Sequence, residues 1–325
     1  MKKPSPSAYK PPYTLTDKVV SLVSEITETA THLELRQGAI DPLLRKKNRL
    51  RTIHSSLAIE QNTLTLQQVT DIIDGRRVFG PPREIQEVKN AKAAYSLIDK
   101  VRPASVQDLL KVHGLMTAGL TEQAGRFRTV AVGVFDGDGR LVHPGTPAEL
   151  VPGQIRDLLS WVATSGVHPL VSSCVFHYEF EFIHPFTDGN GRMGRYWQTV
   201  LLAAWRPQMA WVPVEEIVRS RQQGYYRAIQ QSDAIADAHP FIEYMLEAIR
   251  DALEGVKASV GENVAKSVVK ILDAIRADPE ITRVRLAGEV GLSVRGVERN
   301  LALLKKQGRL RRIGGNKGGH WQVVD

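Results

Sequence analysis

The twelve residues His184-Pro185-Phe186-Thr187-Asp188-Gly189-Asn190-Gly191-Arg192-Met193-Gly194-Arg195 constrain this chain more than any other stretch. Ahead of them, apolar residues at 170, 171, 175, 176, 180 and 183 follow one helix face, and Pro185 forbids that helix from continuing. Behind them, Asn190 is a natural N-cap, and Met193, Trp197, Val200 and Leu201 recur at helical spacing. The segment therefore reads as a helix end near His184, a loop of glycine and short polar residues, and a helix start near Gly191. Such a junction presents the amides of Gly189, Asn190 and Gly191 at a helix N-terminus, where unpaired N–H groups and the macrodipole favour an anion such as phosphate. Glycine lets that anion approach the backbone closely.

The same small volume holds an imidazole (His184), a carboxylate (Asp188) and two guanidinium groups (Arg192 and Arg195, at i and i+3). Their roles are compatible: a general base, a magnesium ligand and a clamp for polyphosphate. Singly, each has a plainer reading. Asp188-Gly189 and Asn190-Gly191 are turn formers, the arginines suit a solvated helix face, and a histidine before proline is usually structural. Gathered between two helices, they favour the functional reading.

The string HPFTDGNGRMGR resembles the active-site signature of the Fic (filamentation induced by cAMP) family. The resemblance implies AMPylation: a nucleotidyltransferase that moves AMP from ATP to a Ser, Thr or Tyr hydroxyl of a target protein. It implies that His184 takes the proton from the incoming hydroxyl and that Asp188 holds Mg²⁺ between the α- and β-phosphates. The amides from Gly189 through Asn190 to Gly191 would cradle phosphate oxygens, and Arg192 and Arg195 would neutralise the β- and γ-phosphates. The physical logic agrees, because phosphoryl transfer needs positioning and charge neutralisation more than covalent chemistry. A histidine needs little tuning to act as a base near neutral pH.

Upstream, Ser55-Ser56-Leu57-Ala58-Ile59-Glu60-Gln61-Asn62 resembles the inhibitory motif of many Fic proteins: a Ser or Thr, three residues, a Glu, then Gly or Asn. Ser56 and Glu60 match that pattern and Gln61 departs from it. The two matching residues are i and i+4 on one helix, so Ser56 can help fix the direction of the carboxylate. Glu60 could then pair with Arg195 and occupy the place a γ-phosphate needs. The plainer alternative is a surface glutamate at a helix end. Gln61 bears on the strength of inhibition, because glycine eases a left-handed helix stop and glutamine strains one.

Residues 127–142 depart from the helical pattern: Val130, Val132 and Val134 alternate, Asp136-Gly137-Asp138-Gly139 forms a turn, and Arg140-Leu141-Val142 returns. In Fic proteins the corresponding hairpin is a flap that adds a strand to the target segment; a structural hairpin is the alternative. Tyr225 and Tyr226 resemble a family tyrosine pair near the nucleotide base, where stacking on adenine is sensible, and fit a buried aromatic pair nearly as well. His113 reads as a satisfied core histidine.

The expected fold is mainly α: a Fic-type helical bundle with a β-hairpin flap, plus a C-terminal winged helix-turn-helix domain. Its 325 residues, 42% of them hydrophobic, allow more than one core. The boundaries read as 1–100 for an N-terminal helical region carrying the inhibitory helix, 101–256 for the catalytic domain and 262–325 for the winged helix, with a linker across 255–263. Residues 1 to about 14, rich in Pro, Ser and Lys, are expected to be extended or mobile. Apolar stretches are too short to span a bilayer, and Met1-Lys2-Lys3-Pro4 opens no secretory signal, so a cytoplasmic location is expected. The single cysteine, Cys174, excludes an intrachain disulfide and a thiolate zinc cluster and suits a small buried hydrophobe.

Residues 261–325 carry 13 Lys and Arg against 7 Asp and Glu, which accounts for most of the chain's net charge of +8. That is the electrostatic footprint of phosphate-backbone contact, with Val294, Arg295, Arg299 and Asn300 as groove-facing candidates on the third helix. Winged helices also dock proteins or dimerise, so a homodimer stays open. Three activities remain in play: an adenylyltransferase restrained by Glu60, a phosphodiesterase that removes AMP with Glu60 orienting water, and a DNA-binding regulator whose Fic domain senses a nucleotide.

Overall fold

The structure is a computed structural model and describes residues 9–35, 42–132, 134–135, 141–143, 146–315 and 318–324. It is mainly helical. In chain order the helices are α1 (Asp17–Leu35), α2 (Pro42–Ile59), α3 (Leu66–Ile73), α4 (Pro82–Tyr95), α5 (Val106–Met116), α6 (Val151–Thr164), α7 (Pro169–Ile183), α8 (Asn190–Trp205), α9 (Val214–Ser220), α10 (Gln222–Ile235), α11 (His239–Ala277), α12 (Arg283–Val290) and α13 (Val294–Lys306). Two antiparallel pairs of strands complete it: β1 (Val134–Phe135) with β2 (Leu141–His143), and β3 (Leu310–Ile313) with β4 (His320–Val323). Among the described residues no helix is long and apolar enough to cross a membrane.

Two compact units emerge. The first holds the described residues through Ala30 together with Leu43–Leu253; the second holds those of Thr31–Pro42 and Glu254–Asp325. At the centre of the first lie α7 and α8, which pack most extensively on each other. Nearly every side chain of α7 is buried, from Leu170 through Phe180 and Ile183, and α8 buries Met193, Tyr196, Trp197, Val200 and Leu202. A helix buried on nearly every side has to be central. The loop between these two helices is thereby fixed at both ends by the core itself. α5 and α6 flank the pair, and α4 packs on α5.

Several expectations are revised. Residues 9–14 are irregular but docked, since Pro12 O accepts from Ala238 N at 3.0 Å and Thr14 donates twice to the Asp237 carboxylate; residues 1–8 lie outside the described residues. The hairpin forms, with Val134 opposite His143 and Phe135 opposite Leu141, but it is shorter than the valine alternation suggests. Its turn at 136–140 lies outside the described residues. The tyrosine pair lies on α10, which is parted from α9 at Arg221 (φ −123°). The linker expected across 255–263 is helix, for α11 runs unbroken through it. Glycine costs a helix about 1 kcal/mol, yet Val256 and Val260 keep the apolar spacing and are 3% and 2% exposed, which outweighs Gly255 and Gly261.

The second unit is a winged helix built on Ile271, Leu272, Ile275, Leu286, Val297, Leu301, Leu304, Leu310 and Trp321. Thr282 and Ser293 cap α12 and α13 through their hydroxyls, and Gly291 (φ 70°) makes the turn between them. The wing pairs Arg312 with Trp321, and both Arg312 and Lys305 place their cations about 5 Å from the Trp321 ring, at 4.8 and 5.0 Å.

Candidate active site

His184 ends α7 in the left-handed region (φ 50°), a conformation that is strained for any residue bearing a Cβ. Arg128 holds it there. Its Nε donates to His184 O at 2.7 Å and its Nη groups donate to the carbonyls of Val130, Ile183 and Thr146, while its backbone N donates to Pro185 O. Arg128 is 1% exposed. It is a buried cation spent on backbone carbonyls, and it ties the lead-in to the hairpin to the turn that carries His184. Burial lowers the His184 pKa below its ordinary value, against the pull of the Glu181 carboxylate, so the ring is neutral at pH 7. Nδ1 faces Glu181 O at 3.4 Å, which leaves Nε2 to carry the lone pair.

The loop is pinned from inside. Asn190 does not cap α8; it is the first helical residue, and its side chain turns back to accept from Phe186 N (2.9 Å) and donate to Phe186 O (2.8 Å). The N-cap is Gly189 (φ 85°), where a Cβ would come within 2.9 Å of Thr117 Cγ2. No side chain caps this helix, so its first amides keep their capacity for an anion. His113 is buried, as expected, and also stacks on Phe186 with centroids 3.6 Å apart. Gly125 N donates to its Nδ1, so Nε2–H donates to Asp188 O at 3.0 Å. Burial drives the His113 pKa down to about 4, which keeps that tautomer at physiological pH.

Asp188 meets two guanidinium groups: Arg192 Nη2 donates to Oδ1 at 2.8 Å and Arg83 Nη2 donates to Oδ2 at 3.1 Å. Among the described residues no group of three or more His, Cys, Asp or Glu side chains could hold a metal ion by itself. One carboxylate beside a helix N-terminus that no side chain caps nonetheless suits Mg²⁺, which keeps several waters and is usually shared with substrate phosphates.

Arg195, with a side chain 2% exposed, donates to Glu60 Oε1 (2.8 Å), Ser56 O (3.0 Å) and Ser56 Oγ (3.1 Å). Burial opposes its charge, but the Glu60 carboxylate beside it carries the pKa above the ordinary arginine value. The Ser56 hydroxyl thus serves Arg195, where it was expected to steer Glu60. Gln61 takes the left-handed stop itself (φ 68°), as its position after α2 required. A Cβ on Gly191 would fall 2.3 Å from Glu60 Oε1, so the carboxylate lies directly against the glycine loop.

The tyrosine pair divides. Tyr225 is 2% exposed and its hydroxyl donates to His177 Nε2 at 3.1 Å, so its ring belongs to the core and not to an open base site. Tyr226 is 45% exposed, and its hydroxyl accepts from Gln222, which also caps the Ile59 carbonyl at the end of α2. From His177 a buried chain continues through Gln198 to Cys174 Sγ. Behind Arg195, buried Glu215 accepts from Tyr95 and Thr199 through Oε1, while its Oε2 finds no partner among the described residues. Burial pushes its pKa up to about 7. Arg83, Glu87, Arg128 and Glu215 were not foreseen; only the spacing of Arg83 and Glu87, i and i+4 near a helix start, was available as a signal.

In the winged helix, Val294, Arg295 and Arg299 are exposed on the first turns of α13, whereas Asn300 returns its amide to Gly296 O at 2.9 Å.

A Fic/DOC family model matches residues 103–202, and a winged helix-turn-helix DNA-binding model matches 266–311. Protein adenylyltransferase fic-1 of Caenorhabditis elegans is 29% identical over 265 residues, which cover 77% of this chain and 49% of that protein. The fic-1 protein of Caenorhabditis briggsae is 30% identical over 240 residues, covering 70% and 45%. The chain therefore spans about half the length of the curated relatives it matches. Among solved structures, a Fic family protein from Desulfovibrio desulfuricans G20 superposes with a TM-score of 0.75 at 44% identity, covering 97% of this chain and 98% of the other. With that identity held across nearly the whole of both chains, and with the His184 to Arg195 loop built as described, this chain belongs to the Fic family.

Proposed function

We propose that the protein is an adenylyltransferase that moves AMP from ATP to a hydroxyl side chain of a target protein, and that Glu60 restrains it. The observation that carries the reading is the Arg195 to Glu60 pair at 2.8 Å, set against the glycine loop at a helix N-terminus that no side chain caps. A carboxylate there occupies the position and the charge of a terminal phosphate.

With Glu60 displaced, the amides of α8's first turn and the Arg192 and Arg195 guanidinium groups take the polyphosphate charge, strengthened by the low dielectric around two nearly buried arginines. Asp188 would hold Mg²⁺, which when bound neutralises charge between the phosphates. Neutral His184, its Nδ1 turned to Glu181 O, takes the proton of the incoming hydroxyl at Nε2. The β1–β2 hairpin offers an edge to the target segment. Tyr226, half-exposed beside the end of α2, is the tyrosine able to meet the adenine base.

Incubation with α-labelled ATP and Mg²⁺ tests this. Label on the chain or on a partner protein should rise in Glu60→Gly relative to the unaltered protein. Absence of label in both, with ATP still bound, would sink the reading. Loss of label from a pre-modified target only when Glu60 is present would favour AMP removal instead.

The exposed Arg295 and Arg299 and the excess of basic residues in 261–325 support a second proposal, that α13 contacts DNA. Binding that falls steeply with salt, and less steeply in Arg295→Ala, is the expected result; salt-independent binding to another protein in place of DNA would overturn it.

A further inference from the structure

We infer that Arg83 is a positioning residue for the transfer reaction: it holds Asp188 Oδ2 and yields that oxygen to the divalent cation. This rests on the adenylyltransferase reading above and adds to it a residue outside both the twelve-residue loop and the stretch 103–202 that the family model matches.

Local stability does not account for an arginine at this position. Arg83 is the second residue of α4, where the positive end of the macrodipole favours an acid over a cation. Packing does not account for it either, since its side chain is 62% exposed. What the side chain does is reach Asp188, 105 residues away in sequence, at 3.1 Å.

The contacts around Asp188 close a ring of alternating charge. Arg192 holds Oδ1 and Arg83 holds Oδ2, while Glu87 Oε1 lies 3.7 Å from both Arg83 Nε and Arg192 Nη1. Glu87 is in turn fixed by Asn62, whose Nδ2 donates to its other oxygen at 2.8 Å. The two arginines differ in their freedom. Arg192 is 5% exposed and walled in; Arg83 stands in solvent, where an ion pair is worth under about 1 kcal/mol and is readily exchanged. Oδ2 is therefore the oxygen that can be released. Glu87, one turn along α4, retains Arg83 at the mouth of the loop after the exchange.

Removing a positive charge this close to a cation's ligand should strengthen cation binding. The test is titration of the 325-residue protein with Mn²⁺ alone, read by the electron paramagnetic resonance signal of the free ion, without nucleotide. Arg83→Gln should bind Mn²⁺ about three- to tenfold more tightly than the unaltered protein, as expected for one unit charge at close range in a solvent-exposed site. Arg83→Lys keeps the charge and should stay near the unaltered value, and Asp188→Asn should bind more weakly. A thermal midpoint unchanged in Arg83→Gln verifies that the fold is intact, and a merely structural role would not tighten Mn²⁺ binding. If Asp188→Asn weakens binding but Arg83→Gln leaves it equal or weaker, the role of Arg83 is overturned while the site reading stands. If Asp188→Asn binds as well as the unaltered protein, the cation assignment to Asp188 fails and this inference fails with it.

Discussion

Glu60 and Arg195 are 135 residues apart in sequence and 2.8 Å apart in space, and their exposures are unequal: 38% for the carboxylate side chain, 2% for the guanidinium. The carboxylate is the partner that can leave. The cation it neutralises cannot, so any event that withdraws Glu60 strands a buried positive charge until another anion arrives.

Glu60→Ala should therefore act in opposite directions on stability and on ligand binding. Leaving Arg195 unpaired should cost roughly 1 to 3 kcal/mol, below the cost for a fully buried pair because Glu60 is partly solvated. ATP affinity should rise at least about tenfold, the equivalent of 1.4 kcal/mol. Thermal unfolding with and without ATP reads both: a lower midpoint alone, restored by ATP to a greater extent than in the unaltered protein. A variant as stable as its parent and no better at binding ATP would contradict the pairing.

Gln61→Gly removes a side chain from a left-handed residue (φ 68°). Relief of about 1 kcal/mol is expected, reduced by the greater entropy glycine has in the unfolded chain. The end of α2 should hold Glu60 more firmly, so residual labelling by ATP should fall while the unfolding midpoint stays level or rises. Higher labelling would mean that glutamine here is not a source of slack.

The pH dependence of transfer should report a histidine titrating low. Burial holds the folded pKa of His184 below its ordinary 6.5, so the base form is present at neutral pH and is lost only as pH falls through that lowered value. In Glu60→Gly the nearby carboxylate that favours the protonated ring is gone, which moves the acid limb lower still. A kcat profile measured on that variant should fall with a midpoint below 6.5; a midpoint above 7 would exclude His184 as the base in this environment.

Glu215 offers a stability test with the opposite sense. Its carboxyl is raised from 4.5 to about 7 by burial, so folding takes up a proton, and stability from this group is fully present below 4.5 and declines as pH rises to 7. Glu215→Gln keeps the Oε1 acceptor and removes the titration. The variant should gain on its parent between pH 5 and 8, by up to about 3 kcal/mol at the upper end given 1.36 kcal/mol per pKa unit. Urea unfolding at the two pH values measures it, and a difference independent of pH would show that Glu215 is ionised without penalty.

What the sequence discloses follows the range of the interactions. His184 before Pro185, the glycines of the loop, and the i, i+4 placement of Ser56 and Glu60 are local signals, legible because proline, glycine and helix spacing act within a few residues. Arg128 and His113 work by gripping backbone carbonyls 56 and 75 residues away, and carbonyls carry no sequence signature. Burial alone separates Tyr225 from its neighbour Tyr226, and adjacent letters do not encode it. The stretch 255–263 holds two glycines and still stays helical within α11, because the burial of Val256 and Val260 outweighs them.

Cys174 has a use that its burial confers. It closes the Tyr225, His177, Gln198 chain beneath α8, is fully enclosed, and burial pushes its thiol up to about 12. As the sole cysteine of 325 residues, it makes the unaltered protein its own clock. Each reaction with a thiol reagent records one excursion in which the α7 and α8 pair came apart.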